Sequence, residues 1–289
     1  MSSSQQLKTR IRSVKNTKQI TKAMQMVAAS KMRRAQEADQ ASAPYTRAAN
    51  ELLTYLASQG VTEDHPLFEK REVKTRLLIV IAADKGLAGA YNSNVAKAYI
   101  RELKADDDLG IKNKTITVGR RASQFATRLK DTDILGVYED LPDHPGGAEL
   151  RAILDTAQTQ FESGAVDAVD VIFTEYVSSM VQRAKTLRVL PAGFTETEVT
   201  AEVRDAKFEP NIPTVLDAVA YRLVEAQIFQ ALLDARASEY SMRMVAMKNA
   251  TDNASDLADD LTLAMNKARQ GAITQELAEI SGGVEALSE

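Results

Sequence analysis

ASEYSMRMVAMKNATDNASDLADDLTLAMNKARQGAITQELAEISGGVEALSE, residues 237–289, is the stretch that decides how this chain folds. Extended back to Thr214 it contains no proline, and its glycines come late, at Gly271, Gly282 and Gly283. Phe229, Leu233, Arg236, Tyr240, Arg243, Met247, Ala250, Ala254, Leu257, Leu261, Ala264 and Ala268 follow one another at steps of three and four. That spacing is the heptad seam of a helix lying along another helix. A helix of this length would reach about 110 Å at ~1.5 Å per residue, where globular helices usually have about 10–14 residues. Beyond Ala268 the register shifts and a second apolar stripe begins: Ile273, Leu277, Ile280, Val284 and Leu287. So long a helix needs a partner along its seam.

The first 58 residues supply one. Leu7, Ile11 and Val14 step by four and three; Ile20, Met24 and Val27 repeat the pattern after a phase shift; Leu52, Leu53 and Leu56 close it. Pro44 lies within this pattern, so a kink or break is expected near Ala43. Gly60 and a polar turn end the helix.

Between the two helices the character changes. Residues 77–83 (LLIVIAA) form a short continuous apolar run, the mark of a strand buried on both faces. A glycine-bearing turn follows (84–90), with Asn92 or Ser93 as the expected cap of a helix to about Leu103. Strands are then expected at 115–118, 134–138 and 169–176, helices at 121–129 and 148–161, and an antiparallel return strand at 183–190. The polar stretch 195–205 reads as loop or hairpin. The fold expected is thus a small, Rossmann-like, mostly parallel α/β domain (73–208) inserted between an N-terminal helix (1–58) and a C-terminal one (209–289) that pair as a long antiparallel coiled coil. The second helix is the longer by roughly 20 residues, about 30 Å, so its end overhangs. The overhang carries the second apolar stripe, which marks an interface with another molecule.

Composition narrows the function. Of 289 residues none is cysteine or tryptophan, and aromatics make up 5%. Disulfides, thiolate metal sites and cysteine nucleophiles are excluded. His65 and His144 sit in EDHP and PDHP turns and read as surface loop residues rather than a metal site. The net charge of −4 is unevenly spread: residues 1–36 hold nine Lys/Arg and no acid. Such a face suits an anionic partner, but no aromatics interleave the cations, which argues against stacking on nucleic acid. No run of about 18 apolar residues marks a membrane span.

No catalytic constellation emerges. The turn DKGLAGA (84–90) matches neither G-x-x-x-x-G-K-[ST] nor G-x-G-x-x-G, and Gly86 and Gly89 read as turn glycines. Asp106, Asp108, Asp259 and Asp260 read as solvated carboxylates. Lys267, Arg269, Gln270 and Thr274 gather where the register shifts, a polar collar suited to gripping a partner's carboxylates.

Three stretches resemble the gamma-subunit family of the F-type ATP synthases: 11–36 (IRSVKNTKQITKAMQMVAASKMRRAQ), 84–95 (DKGLAGAYNSNV) and 237–287, which includes ITQELAEI at 273–280. They occur in the family's order and spacing, from near Lys8 to the end, so the basic start is not read as a transit peptide and a bacterial origin is expected. The resemblance implies a non-catalytic rotor shaft. It would stand in a ring of three alpha and three beta subunits, its α/β foot on the c ring beside the epsilon subunit, one copy per complex. Proton flow would turn it, driving the beta sites through ATP synthesis, and hydrolysis would reverse it. No cofactor or metal and no nucleic acid is implied, and membrane contact comes only through the c ring, at the cytoplasmic face of the cell inner membrane. Met24, Lys31, Arg33, Arg34 and Arg243 match positions that contact the beta subunits' acidic levers. Arg269 and Gln270 match the family's contact with acidic loops of the beta subunits, and Ile273, Leu277, Ile280, Val284 and Leu287 would be the tip in its apolar bearing. Two other classes stand beside this one: a self-associating coiled-coil adaptor, and a nucleotide-binding α/β enzyme using loop 84–90.

Overall fold

A computed structural model describes residues 2–62, 65–129, 132–142 and 147–286. They fall into two compact units, residues 1–28 with 244–289 and residues 29–243. Two helices contribute to both: α1 (Ser2–Ser58) and α6 (Ile212–Ala286).

The larger unit is organised by five strands, β1 (Thr75–Ile81), β2 (Lys112–Val118), β3 (Asp133–Tyr138), β4 (Ala168–Tyr176) and β5 (Gln182–Leu190), in the order β3-β2-β1-β4-β5. The first three junctions are parallel and β4–β5 is antiparallel. This is the doubly wound arrangement, with the order reversing beside β1. From Leu77 to Ile81 strand β1 is apolar because both its faces are covered. Leu77, Ile79 and Ile81 pack with Leu154 and Phe161 of α4 (Gly147–Glu162) and with Val224, Ile228 and Ala235 of α6. Leu78 and Val80 pack with Tyr91, Val95 and Tyr99 of α2 (Tyr91–Leu109) and Ala122 of α3 (Arg120–Ala126). Helix α6 is therefore also one of the covering layers of the sheet. Near its start it meets the end of α1, where Ala49, Leu53 and Leu56 cluster with Leu216 and Leu223.

Several local expectations change. Helix α2 starts at Tyr91 with Ala90 at its cap and no side-chain cap bond; Asn92 instead accepts a hydrogen bond from the Ala83 amide and ties the helix to the end of β1. The helix runs on to Leu109, where Gly110 at φ 71 ends it. Asp106 is not solvated: it is 4% exposed and accepts both hydrogen bonds, at 3.1 Å each, from one nitrogen of buried Arg76. Arg76 also donates to Asp170 of β4 and, at 3.0 Å, to Glu102 of α2. Burial opposes the charge on Arg76, but the carboxylates of Asp170 and Asp106 outweigh it and hold the guanidinium above its ordinary pKa. His65 is not a surface residue: its side chain is 9% exposed, its Nδ1 accepts from the Leu67 amide, and its Nε2 lies 3.4 Å from Asp217. His144 lies outside the described residues. Helix α1 passes Pro44 without a break; the proline is exposed there. Of the loop and hairpin readings for 195–205 the loop holds at 195–200, where the amides of Thr195, Thr197 and Thr200 donate to Asn50, Thr54 and Glu51 of α1, and the short helix α5 (Ala201–Arg204) takes up the rest. The Thr200 hydroxyl also donates to Glu51 at 2.6 Å, and this bond foremost, with the amide's, lowers the pKa of Glu51.

In the smaller unit the parts of α1 and α6 run antiparallel: Thr21 hydrogen-bonds Thr251 at 2.8 Å, and Lys18 donates to Ser255 at 2.9 Å. The buried seam is Ile11, Thr21 and Ala28 against Met247, Thr251, Ala254 and Ala258. This corrects two readings. There is no phase shift in α1: Lys18 and Thr21 carry the seam, while Ile20 and Val27 are 60% and 56% exposed and Met24 is half-buried. In α6 the intermediate seam positions are Thr251, Ala258 and Met265 rather than Ala250, Leu257 and Ala264. Leu257, one position from the seam, is 46% exposed. Continuing the Thr21–Thr251 register puts the start of α1 level with about residue 271. From Arg269 to Ser281 every residue of α6 is exposed. No described helix is long and apolar enough to cross a membrane.

Candidate contact surfaces and the joint beneath loop 84–90

Exposure sorts the residues picked out from sequence. Arg33, Arg34, Lys267, Arg269, Gln270 and Thr274 are exposed, and Met24 and Lys31 are half-buried. Ile273, Leu277 and Ile280 are 50%, 61% and 64% exposed, on one stripe of α6 with Arg269 one turn before them. Leu287, and the side chain of Val284, lie outside the described residues. Thr274 bonds back to the Gln270 carbonyl, as a hydroxyl mid-helix does, leaving the Gln270 side-chain amide to solvent.

Arg243 is placed differently. It is 9% exposed, donates to Glu239 at 2.7 Å and to the carbonyls of Lys85 and Gly86 at 3.3 and 3.2 Å, and its guanidinium carbon lies 5.8 Å from the Tyr240 ring centre. Lys31 reaches the same ring at 5.4 Å. The structure thus gathers Lys31 and Arg243 around Tyr240, and does not gather Arg33 or Arg34 with them.

Around Arg243 lies a cluster that the sequence reading passed over. Helix α6 is buried on nearly all sides from Ala231 to Arg243, so charges there need partners. Arg236, Glu239 and Arg243 share one face, as plus, minus and plus at steps of three and four. Arg236 lies 3.4 Å from Glu239 and 3.7 Å from Asp84, and donates to the Leu141 carbonyl at 3.1 Å. Burial opposes its charge, but Glu239 foremost holds its pKa up. Tyr91, buried beside them, has its phenol pKa raised by burial and further by the Glu239 charge. Asp84 accepts from the amides of Arg120 and Asp140 at 3.0 Å each. It thereby caps α3 and fastens the end of β3 to the start of the loop. Two arginines against two carboxylates leave the cluster neutral. The only signal in sequence was the charge triplet inside an Ala- and Ser-rich helical run; Asp84, far off in the chain, gave none.

The cluster sits where a doubly wound fold opens its ligand crevice, at the carboxyl ends of β1 and β4. Here α6 fills it: Ser238 donates to the Thr174 carbonyl, Ser241 to the Ser179 carbonyl, and Gln182 to Ser241. The loop after β1 presents two carbonyls to Arg243, the reverse of a loop whose amides receive phosphate. The nucleotide-binding reading of this loop therefore fails on geometry.

Known proteins share the mixed five-stranded sheet and the long N- and C-terminal helices. A family profile described as ATP synthase matches residues 3–287. The ATP synthase gamma chain of Stenotrophomonas maltophilia is 39% identical over 99% of this chain and the whole of that protein. The ATP synthase gamma chain of Heliobacterium modesticaldum is also 39% identical, over 97% of this chain and 98% of that one. Among solved structures, a chain of the Euglena gracilis mitochondrial ATP synthase superposes with a TM-score of 0.67 at 17% identity, covering 99% of this chain and 95% of that one. A chain of the central stalk and c-ring of the Tetrahymena thermophila mitochondrial enzyme gives 0.61 at 22% identity, covering 80% and 99%. On these grounds the chain belongs to the ATP synthase family, among its gamma chains.

Proposed function

We propose that this chain is the central shaft of a rotary, proton-translocating ATP synthase. It stands in a ring of three alpha and three beta subunits and carries rotation between that ring and a membrane c ring, with an epsilon subunit beside its α/β domain. The catalytic residues belong to the beta subunits; this chain contributes none. One copy serves each complex, at the cytoplasmic face of the cell inner membrane, touching the membrane only through the c ring.

The observation that carries the reading is the bare end of α6. Ile273, Leu277 and Ile280 form an exposed apolar stripe past the level at which α1 begins. Burying one such side chain fully is worth about 1.5–3 kcal/mol, so a sleeve of foreign subunits holds the end firmly without gripping it at one angle. The basic, acid-free first 36 residues suit an acidic surface sliding past them. Exposed ion pairs of about 0–1 kcal/mol each attract without locking. Reconstitution with alpha and beta subunits, an ATPase assay and single-particle observation of rotation test the proposal. Directional rotation driven by ATP supports it; self-association of the chain with no binding to the alpha–beta ring overturns it.

Two substitutions refine the test. Changing Ile273, Leu277 and Ile280 together to serine is expected to move the free chain's stability by no more than about 0.5 kcal/mol, because these side chains are already in water. The same change should weaken retention in the ring, read by size-exclusion co-elution. Met24→Lys adds a cation to the half-buried flank of α1 and is expected to lower the number of protons pumped per ATP hydrolysed. An unchanged ratio removes Met24 from the contact set.

A further inference from the structure

We infer that Arg243 is a positioning residue that acts through loop 84–90, which it holds against α6 together with Glu239, rather than by touching a partner protein. Its guanidinium is already divided between Glu239 and two loop carbonyls, with Tyr240 along its side. At 9% exposure it has little surface to offer another molecule. What the loop turns outward is different: Lys85 is exposed, and Leu87 is 63% exposed at φ 61, a left-handed backbone that a leucine takes only when its neighbours impose it. Ala88, by contrast, is buried at 1%. The loop is thus pinned from beneath at Lys85, Gly86 and Ala88, and presents a cation and an apolar side chain on its outer surface.

Glu239 sets this arrangement. It is 4% exposed and lies between Arg236 and Arg243, one carboxylate oxygen toward each. Without its charge Arg243 loses the acceptor that aims it at the loop. Asp84 extends the same chain of contacts to α3 and the end of β3, so turning α6 carries the loop and the sheet with it. The contacts stand by themselves; their bearing on coupling rests on the rotor reading above.

The test uses Glu239→Gln, Arg243→Ala and Arg243→Lys in the full chain. Amide hydrogen exchange of residues 84–91 is followed on the free chain, and protons pumped per ATP on the enzyme reconstituted in vesicles. Glu239→Gln is expected to raise exchange in the loop at least tenfold and to lower the pumping ratio, as Arg243→Ala does. The double variant Glu239→Gln with Arg243→Ala should be no worse than either alone, because both break one unit. Should one variant fail to fold, Arg243→Lys keeps the positive charge but cannot reach both carbonyls, and the same tenfold rise is expected. A Glu239→Gln chain with a protected loop and normal pumping, beside an uncoupled Arg243→Ala chain, overturns the inference in favour of direct contact. A freed loop with normal pumping overturns it as well. If the unchanged chain drives no pumping at all, the rotor reading fails, and the exchange arm still decides whether Glu239 and Arg243 hold the loop.

Discussion

Gly119→Ala should unfold the larger unit at a clearly lower urea concentration than the unchanged chain, by about 3–5 kcal/mol of stability. Gly119 ends β2 at φ 92 and ψ 141, a conformation that costs any other residue about 1–3 kcal/mol. Space adds to this. A methyl there would lie 2.1 Å from the Ala82 carbonyl oxygen and 2.9 Å from its carbon, and both are backbone atoms. Nor can the turn back away. The Gly119 amide donates to Tyr138 at 2.7 Å, the Ala82 amide to Val118 at 2.9 Å, and the Arg121 amide to Ala83 at 2.9 Å, so the turn is tied to both flanking strands. Gly110→Ala is the control: its φ of 71 is also left-handed, but nothing lies within 4 Å of the added carbon. It should lose only about 1–2 kcal/mol. Urea titrations followed by near-ultraviolet circular dichroism of the tyrosines measure both. Equal losses would show that backbone angle alone, and no close approach to β1, makes glycine necessary at 119.

What could be read in advance follows from the range of the forces involved. Strand β1 was legible because burial on both faces leaves five apolar residues in a row from Leu77 to Ile81, a signal that needs no knowledge of the partners. The overhang was legible from the unequal lengths of two helices. The seam of α6 was half legible: Met247, Ala254, Leu261 and Ala268 repeat every seven residues, but the position between them can fall three or four residues on. Leu257 and Ala258 are both apolar, so polarity did not choose between them, and Ala258 is the one that is buried. The joint beneath loop 84–90 was not legible. The heptad put Arg236 and Arg243 on the seam of α6, but nothing in the sequence named Glu239 or Asp84 as their partners, and only the fold brings Asp84 to Arg236. Asp106 read as solvated because its partner Arg76 stands just before the apolar run 77–83 and gave no sign of burial.

That buried partnership gives the other large expected effect. Arg76→Met should destabilise the chain by about 3–5 kcal/mol, although methionine fills much the same volume. Arg76, Asp106 and Asp170 are 8%, 4% and 1% exposed, so neither carboxylate can turn to water when the guanidinium goes. Arg188 still donates to Asp170 from the far side and Glu102 keeps Arg101 and Thr186, which leaves Asp106 as the uncompensated charge on α2. Helix α2 should therefore loosen first, seen as faster amide exchange around Asp106. Removing the stranded charge in the same chain, as Arg76→Met with Asp106→Asn, should recover part of the loss. A pair on the surface gives the contrast: Lys74 and Glu72, 3.7 Å apart with side chains 77% and 84% exposed, should tolerate Lys74→Ala within about 0.5 kcal/mol. Raising salt to 1 M should erase what little that pair contributes and leave the Arg76 difference nearly intact, because ions screen only charges that solvent reaches. A loss at Arg76 as small and as salt-sensitive as that at Lys74 would mean that the carboxylates find water in solution, and that the sheet is not closed over them.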